Sequence, residues 1–295
     1  MVQGRISGGE DFGGINLRAT LESGQTFLWQ RPEGAMYTTQ SEAPPWYVRV
    51  FDNDVVMIKQ ENDTLHWRGT TNSVSNIVST LRLDDDLQSI YSAFPNEPVI
   101  QKARQAYPGL RVVNEPFFPT LISFICSTQM RISRIFEMQS SLRETFGSPI
   151  SFDNETYYSY PKPSTLAETT EERLRDLGLG YRAPYVVETA EMVANGRLTR
   201  DDIAGKPYED AREALTQYVG VGNKVADCVL LFSLGYLQSI PLDTWIQKAV
   251  ATYFPDCDKS SYSATSQALR ERFGPEYAGY VQTYLFHYLR THELV

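Results

Sequence analysis

Between residues 15 and 68 the apolar positions fall in short runs separated by turn formers. Trp46-Tyr47-Val48-Arg49-Val50-Phe51 and Val55-Val56-Met57-Ile58-Lys59 flank Asp52-Asn53-Asp54, a tripeptide suited to closing a hairpin, and residues 64–69 add a further strand. After residue 71 the spacing changes to three and four. Helices are predicted near 73–81, 98–107, 116–129, 132–146, 170–177, 184–194, 208–218, 225–234, 244–253, 261–273 and 276–289. Gly147, Gly178 and Gly274-Pro275 stand where helices stop. No repeat of solenoid period is present. The pattern predicts an α+β protein: a small N-terminal antiparallel β-sheet domain with connecting helices over 15–112, then a larger all-helical domain over 113–290.

Composition narrows this frame. At 295 residues and 42% hydrophobic, the chain is long enough for a sizeable core. No window approaches the ~18 apolar residues of a membrane span, and the glycine-rich start lacks a signal-peptide core, so an intracellular protein without membrane contact is expected. Cys126, Cys228 and Cys257 are far apart, and His66, His287 and His292 match no ligand spacing; neither a disulfide framework nor a metal site is expected. The net charge of −9 counts against a polyanionic partner. That objection is softened by the cation used: of 27 basic residues, twenty are arginine, the side chain suited to bidentate contacts.

The chemistry concentrates in one segment. Val219-Gly220-Val221-Gly222-Asn223-Lys224 joins two predicted helices. Two glycines two apart allow a tight hairpin whose free N–H groups, with the positive end of the second helix, form a site for one phosphate. A bare helix–turn–helix corner would read the same way. Lys224 stands at the mouth of this hairpin, and Asp243 precedes the next helix. A helix over 225–234 runs ~15 Å. The eight residues 235–242 extend up to ~26–29 Å, so the chain can return and bring the carboxylate beside the amine.

The run from Tyr218 to Trp245 resembles the helix–hairpin–helix DNA glycosylases, with Lys224 in the position of their nucleophilic lysine and Asp243 in that of their essential aspartate. The cysteine loop of iron–sulfur relatives is absent. Further stretches narrow the resemblance to the 8-oxoguanine DNA glycosylase/AP lyase family: Ser23-Gly24-Gln25-Thr26-Phe27-Leu28-Trp29, the segment 124–135, Gly178-Leu179-Gly180-Tyr181-Arg182-Ala183, and the C-terminal Gly274-Pro275 with 278–286. The likeness runs from about residue 17 to 290.

This resemblance implies a helix–hairpin–helix glycosylase domain and a site residue by residue. Gly24 would accept the N7–H that oxidation adds to guanine, Gln282 would bond the Watson–Crick edge of the flipped base, and Phe286 and Cys228 would cover its two faces. Gln129 would fill the gap in the duplex, Tyr181 would wedge the stack, Arg134 and Arg182 would read the widowed cytosine, and Arg131, Gly220, Gly222 and Trp245 would meet the DNA. Two departures stand out. The family most often has asparagines where Gln129, Met130 and Arg131 stand, which puts strict cytosine preference in doubt; Trp245 replaces a phosphate-binding histidine of vertebrate-type members.

The implied reaction is attack of a neutral Lys224 amine on C1′, release of 8-oxoguanine, and β-elimination through the Schiff base, with Asp243 stabilising the cationic sugar. No cofactor is expected. The expected partner is double-stranded DNA containing 8-oxoguanine, met by a monomer in the cytoplasm or nucleoid of a prokaryote or in a nucleus. Singly, each residue has a plainer reading: Lys224 as a solvated lysine, Asp243 as an N-cap, Cys228 and Phe286 as core, Gly24 as a turn glycine. Two other functions stay open, a glycosylase for alkylated purines and a non-catalytic DNA-binding relative. With cations confined to one surface, the acidic excess should lie on the other faces and suit a salty cytoplasm. DNA cleavage is expected to persist at salt concentrations that abolish binding by a basic glycosylase; loss of activity at the same salt would count against this expectation.

Overall fold

The computed structural model describes residues 1–7, 14–34, 36–37 and 44–292. One end is a four-stranded antiparallel sheet of β1 (Val2–Ser7), β2 (Tyr47–Phe51), β3 (Asp54–Glu61) and β4 (Thr64–Gly69), in the order β1-β4-β3-β2. Asp52 and Asn62, both at φ 52°, close the two hairpins of consecutive strands in the left-handed conformation that Asp and Asn tolerate. The predicted strands are therefore present. β1 lies outside the prediction: it carries few apolar residues and is held by its backbone pairing, Val2 opposite Gly69 through Ser7 opposite Thr64.

Residues 17–22, expected within the strand-and-turn region, form helix α1 (Leu17–Glu22). The Asn16 side chain accepts from the Ala19 N–H at 3.0 Å, and all but one residue of the helix are buried. Six residues are too few to show helical periodicity, so capping and burial decide the conformation.

The helical part comprises α2 (Val74–Leu81), α3 (Leu87–Ser92), α4 (Pro98–Ala106), α5 (Phe117–Ile125), α6 (Ile132–Phe146), then a hairpin β5 (Pro149–Phe152) and β6 (Glu155–Tyr158), then α7 (Pro163–Ala167), α8 (Glu171–Asp176), α9 (Ala183–Ala194), α10 (Tyr208–Leu215), α11 (Asn223–Ser233), α12 (Thr244–Tyr253), α13 (Tyr262–Phe273) and α14 (Ala278–His292). The expectation of unbroken helix after residue 71 is corrected by the hairpin. Its turn residues Asp153 (φ 55°) and Asn154 (φ 64°) supply the two left-handed conformations of a tight hairpin. Phe152 and Tyr157 pack on Val48, Val55 and Met57, so the hairpin covers the face of the sheet turned away from Trp29 and Trp67. α5 ends at Ile125 rather than 129, and the freed residues make the loop that faces the cleft described below.

Leu87 to Val113 pack into the helical core, together with Ala19 and Phe27. Buried polar clamps fix residues 23–29 between sheet and helices. Thr26 donates to Glu115 at 2.6 Å, Arg49 pairs with Glu115 at 2.6 Å, and Arg143 donates to the Phe27 carbonyl at 2.6 Å. Gln25 donates to the carbonyls of Thr20 (2.9 Å) and Arg111 (2.7 Å) and accepts from the Val113 N–H (2.9 Å). No helix among the described residues is long and apolar enough to cross a membrane.

The path from α11 to α12 is tied at Asp227, which is fully buried. Tyr208 of α10 and Tyr262 of α13 each donate a hydroxyl to its carboxylate at 2.6 Å, and Ser239 from the returning chain donates at 3.1 Å. Burial pushes the Asp227 carboxyl up from 3.8 to about 6, against the pull of these donors and of Arg212. A folded value above the unfolded one means that this group favours the fold most below about pH 4 and loses that contribution as pH rises through about 6. The difference amounts to roughly 3 kcal/mol. Asp227→Asn should therefore show a shallower loss of stability than wild type between pH 4 and 6, measured by denaturant melts at each pH; parallel curves would refute the assignment.

Candidate active site

The hairpin between α10 and α11 needs glycine at 220 for two reasons. Its φ is 79°, and a Cβ there would lie 2.8 Å from the ring of Tyr185 on α9. Gly222 caps α11, placing Lys224 in the first turn with Gly222 and Asn223 exposed. The first N–H groups of α11 thus face solvent without helical partners. Asp243 caps α12: its Oδ1 accepts from the Ile246 N–H at 2.9 Å. The plain N-cap role and a role in the site coexist, because capping uses one carboxylate oxygen.

A cleft of about 900 Å³ gathers most of the predicted residues: Gly24, Gln129, Arg131, Gly220, Gly222, Lys224, Cys228, Asp243, Trp245, Gln282 and Phe286. A larger cleft of about 1300 Å³, between the sheet, the start of α5 and the β5–β6 hairpin, holds none of them. Lys224 is half-buried. Its Nζ donates to Ser127 Oγ at 2.9 Å and lies 5.4 Å from the centre of the Phe124 ring. Ser127 in turn donates its proton to the Phe124 carbonyl at 2.7 Å, which leaves an oxygen lone pair for the amine.

Cys228, one turn beyond Lys224, is buried, and burial pushes its thiol up to about 12. It stands beside the amine as a neutral thiol. Burial likewise raises the Asp243 carboxyl above the ordinary aspartate range, opposed by the Ile246 N–H and the Lys224 charge. Lys224 and Asp243 line the same cleft, and the Lys224 charge acts on the Asp243 carboxylate; among the described residues no ion pair joins them. In a partly buried cleft such a charge pair acts more strongly than in water.

α14 lines the cleft through residues four apart. Gln282 is buried and Phe286 half-buried. Gly24 faces Phe286 across the cleft: a Cβ on Gly24 (φ 98°) would lie 3.8 Å from the Phe286 ring and 2.5 Å from Ile132. Gln129 sits in the left-handed region at φ 55° in an exposed loop. Trp245 is half-buried on the rim, with Lys248 Nζ 5.4 Å from its ring centre.

Three predicted residues lie outside the cleft lining. Tyr181 is exposed, edge-on to Tyr185 at 6.2 Å. Arg134 is also exposed, pairs with Glu137 at 2.7 Å and lies against Gly178. Arg182 is buried, its guanidinium donating to the Thr128 carbonyl and lying 4.2 Å from the Tyr181 ring. Arg182 thus holds the 126–131 loop through one terminal nitrogen while its Nε has no hydrogen-bond partner, and the structure does not bring it to the surface. Conversely, Ser127, Tyr37 and Arg290 line the cleft without having been singled out. For Arg290 the signal was available, since 282, 286 and 290 share one helix face. Among the described residues no group of three His, Cys, Asp or Glu side chains is placed to hold a metal ion.

Comparison with known proteins bears on this arrangement. Residues 122–275 match the HhH-GPD superfamily of base excision DNA repair proteins, and residues 11–121 match the 8-oxoguanine DNA glycosylase N-terminal domain. An N-glycosylase/DNA lyase of Saccharomyces cerevisiae is 33% identical over 79% of the chain, and the chain spans 66% of that relative's length. A probable N-glycosylase/DNA lyase of Methanothermobacter thermautotrophicus is 30% identical over 94% of both chains. The structure superimposes on the 8-oxoguanine glycosylase/lyase of Clostridium acetobutylicum, solved with double-stranded DNA, with a TM-score of 0.84, 27% identity and coverage of 95% of this chain and 93% of the other. Both halves of the chain match, and the cleft falls where the two halves meet; the chain belongs to the 8-oxoguanine DNA glycosylase family within the helix–hairpin–helix base-excision repair superfamily.

Proposed function

We propose that this protein removes 8-oxoguanine from double-stranded DNA through a covalent imine on Lys224 and nicks the resulting abasic strand by β-elimination. The observation that carries the reading is the placement of Lys224 and Asp243 at the starts of two different helices, lining one cleft without pairing with each other. A phosphate held by the exposed hairpin amides at 220–224 would set the sugar between amine and carboxylate. Asp243 would stabilise positive charge developing at C1′. Ser127 would fix the amine by accepting one N–H, and its own proton, committed to Phe124, cannot compete.

The flipped base would lie between Phe286 and the neutral Cys228 thiol, with Gln282 at its Watson–Crick edge. Gly24 would supply a carbonyl that oxidised guanine satisfies and normal guanine does not, because an unmodified N7 sets acceptor against acceptor. The clamps on Gln25, Thr26 and Phe27 hold this loop in place before substrate arrives. Tyr181 and Gln129, both exposed beside the cleft, are suited to enter the duplex. Buried Arg182 would support that loop rather than read the opposite base, so discrimination among opposite bases is expected to be weak.

Borohydride trapping tests the core of this reading. Wild-type protein should be captured covalently on 8-oxoguanine duplex, and Lys224→Gln should abolish capture; undiminished capture by the variant would remove Lys224 from its role. Release of alkylated purines with 8-oxoguanine left in place would overturn the base assignment, and binding without any base release would leave a DNA-binding relative. Ser127→Ala should slow trapping on a pre-formed abasic site by about tenfold with DNA affinity unchanged. Gly24→Ala should slow base release by at least about tenfold while trapping at an abasic site persists. The acid limb of the rate should lie above the usual aspartate range and vanish in Asp243→Asn, because activity needs the ionised form and burial makes that form harder to keep.

A further inference from the structure

Arg290 is a cation that the catalytic reading above leaves unused. It stands two turns beyond Gln282 and one beyond Phe286 on the face of α14 that lines the cleft. One terminal nitrogen, Nη2, donates to the Glu22 carbonyl at 3.1 Å and to His287 Nδ1 at 3.2 Å. The guanidinium carbon lies 5.8 Å from the centre of the Phe286 ring. Its Nε is buried and has no hydrogen-bond partner.

The surroundings hold this charge in place without neutralising it. His287 is buried against Tyr107, with ring centres 4.3 Å apart, and burial next to Arg290 lowers it from 6.5 to about 3. It therefore accepts as a neutral imidazole. Glu22 is committed to Arg31 and to the Tyr47 hydroxyl, at 2.5 Å, and offers Arg290 its backbone carbonyl instead. The charges of Glu22 and, less, Asp243 act on Arg290 only at a distance. Among the described residues Arg290 has no carboxylate partner in an ion pair, which is costly unless something else in the cleft carries negative charge.

We propose that Arg290 stabilises the negative charge that the departing base acquires. The inference rests on the reading that Lys224 displaces the base. In that step the amine lone pair forms the Nζ–C1′ bond, and the C1′–N9 pair leaves with the purine; the nitrogen of the new ammonium then loses one proton and the purine gains one. Between these events the purine is an anion delocalised over its ring nitrogens and exocyclic oxygens. Arg290 is anchored two residues from Gly24, on the side of the pocket where the oxidised imidazole ring would sit. Its fixed charge at the cleft lining attracts that anion more than the neutral base, so the interaction grows in the transition state. Gln282 and Phe286 recognise the base; Arg290 would help it leave.

Single-turnover base release from 8-oxoguanine duplex and trapping on a pre-formed abasic site, which has no base to release, separate this role from general damage. Arg290→Gln should slow base release by roughly tenfold or more while abasic trapping stays within about twofold. Arg290→Lys should recover most of the loss, since it keeps the charge. The loss in Arg290→Gln should also shrink for purines whose N9 is more acidic, because a better leaving group needs less help. A merely structural arginine would give the same loss for every purine and in both assays. Base release within twofold of wild type, an equal fall in abasic trapping, or no recovery with lysine would each overturn the proposal. If Arg290→Gln melts at the assay temperature, the neutral Arg290→Met takes its place in the same purine series: a steeper dependence on N9 acidity than wild type supports the proposal, an equal dependence overturns it. Failure of the substrate reading looks different, as wild-type protein that traps on abasic DNA and leaves 8-oxoguanine in place; the comparison then uses the purine it does release.

Discussion

The buried carboxylate of Asp227 holds the site together. It lies in α11, and it collects hydroxyls from Tyr208 of α10, Tyr262 of α13 and Ser239 of the chain between α11 and α12. Tyr262 also accepts from the Leu242 N–H at 3.2 Å, one residue before Asp243. The loop that returns from α11 is therefore positioned by the helix whose first turn carries Lys224. A buried carboxylate with several donors has few alternative arrangements of equal energy, so the amine and the Asp243 carboxylate keep a defined separation. The chain length between them permits the approach, and the hub fixes it.

The charge of the chain acquires a spatial meaning in this frame. A net −9 would repel a polyanion from most of the surface. Around the cleft the available positive groups are backbone amides at two helix starts, half-buried Lys224, and exposed Arg131 and Arg134. Much of the arginine is spent internally. Arg49, Arg143 and Arg182 are buried and cross-link segments of the fold, and Arg290 borders the cleft. The abundance of arginine is thus partly a device for bridging carbonyls inside the fold, which a planar five-donor group does well.

The two ends of the cleft are held by different means. The Gly24 loop is clamped by neutral and charged hydrogen bonds through Gln25, Glu115 and Arg143, whereas the Gln129 loop is held by Arg182 at the Thr128 carbonyl and by Lys224 at Ser127, and carries a left-handed non-glycine residue. The Gly24 side is held more firmly in consequence. The Gln129 side has fewer anchors, in keeping with the proposal that this loop meets a deformed double helix.

Particular residues show where sequence sufficed. The hairpin glycines, Lys224, the N-cap position of Asp243 and the common face of Gln282 and Phe286 were legible because each depends on local geometry: a left-handed turn, a helix start, a four-residue spacing. The long helices and the β2–β3–β4 strands were legible for the same reason. β1, α1 and the β5–β6 hairpin were not read, being short elements fixed by pairing partners, a cap or a core supplied from elsewhere in the chain. The burial of Arg182, the acceptor that Ser127 offers to Lys224, and the unpaired charge of Arg290 could not be read from spacing. Each depends on groups between 3 and 268 residues away in the chain, and the balance between exposure and hydrogen bonding is set only when those groups meet. The sequence by itself determined which residues could do chemistry; the tertiary structure decided which of them face the cleft and which hold it in shape.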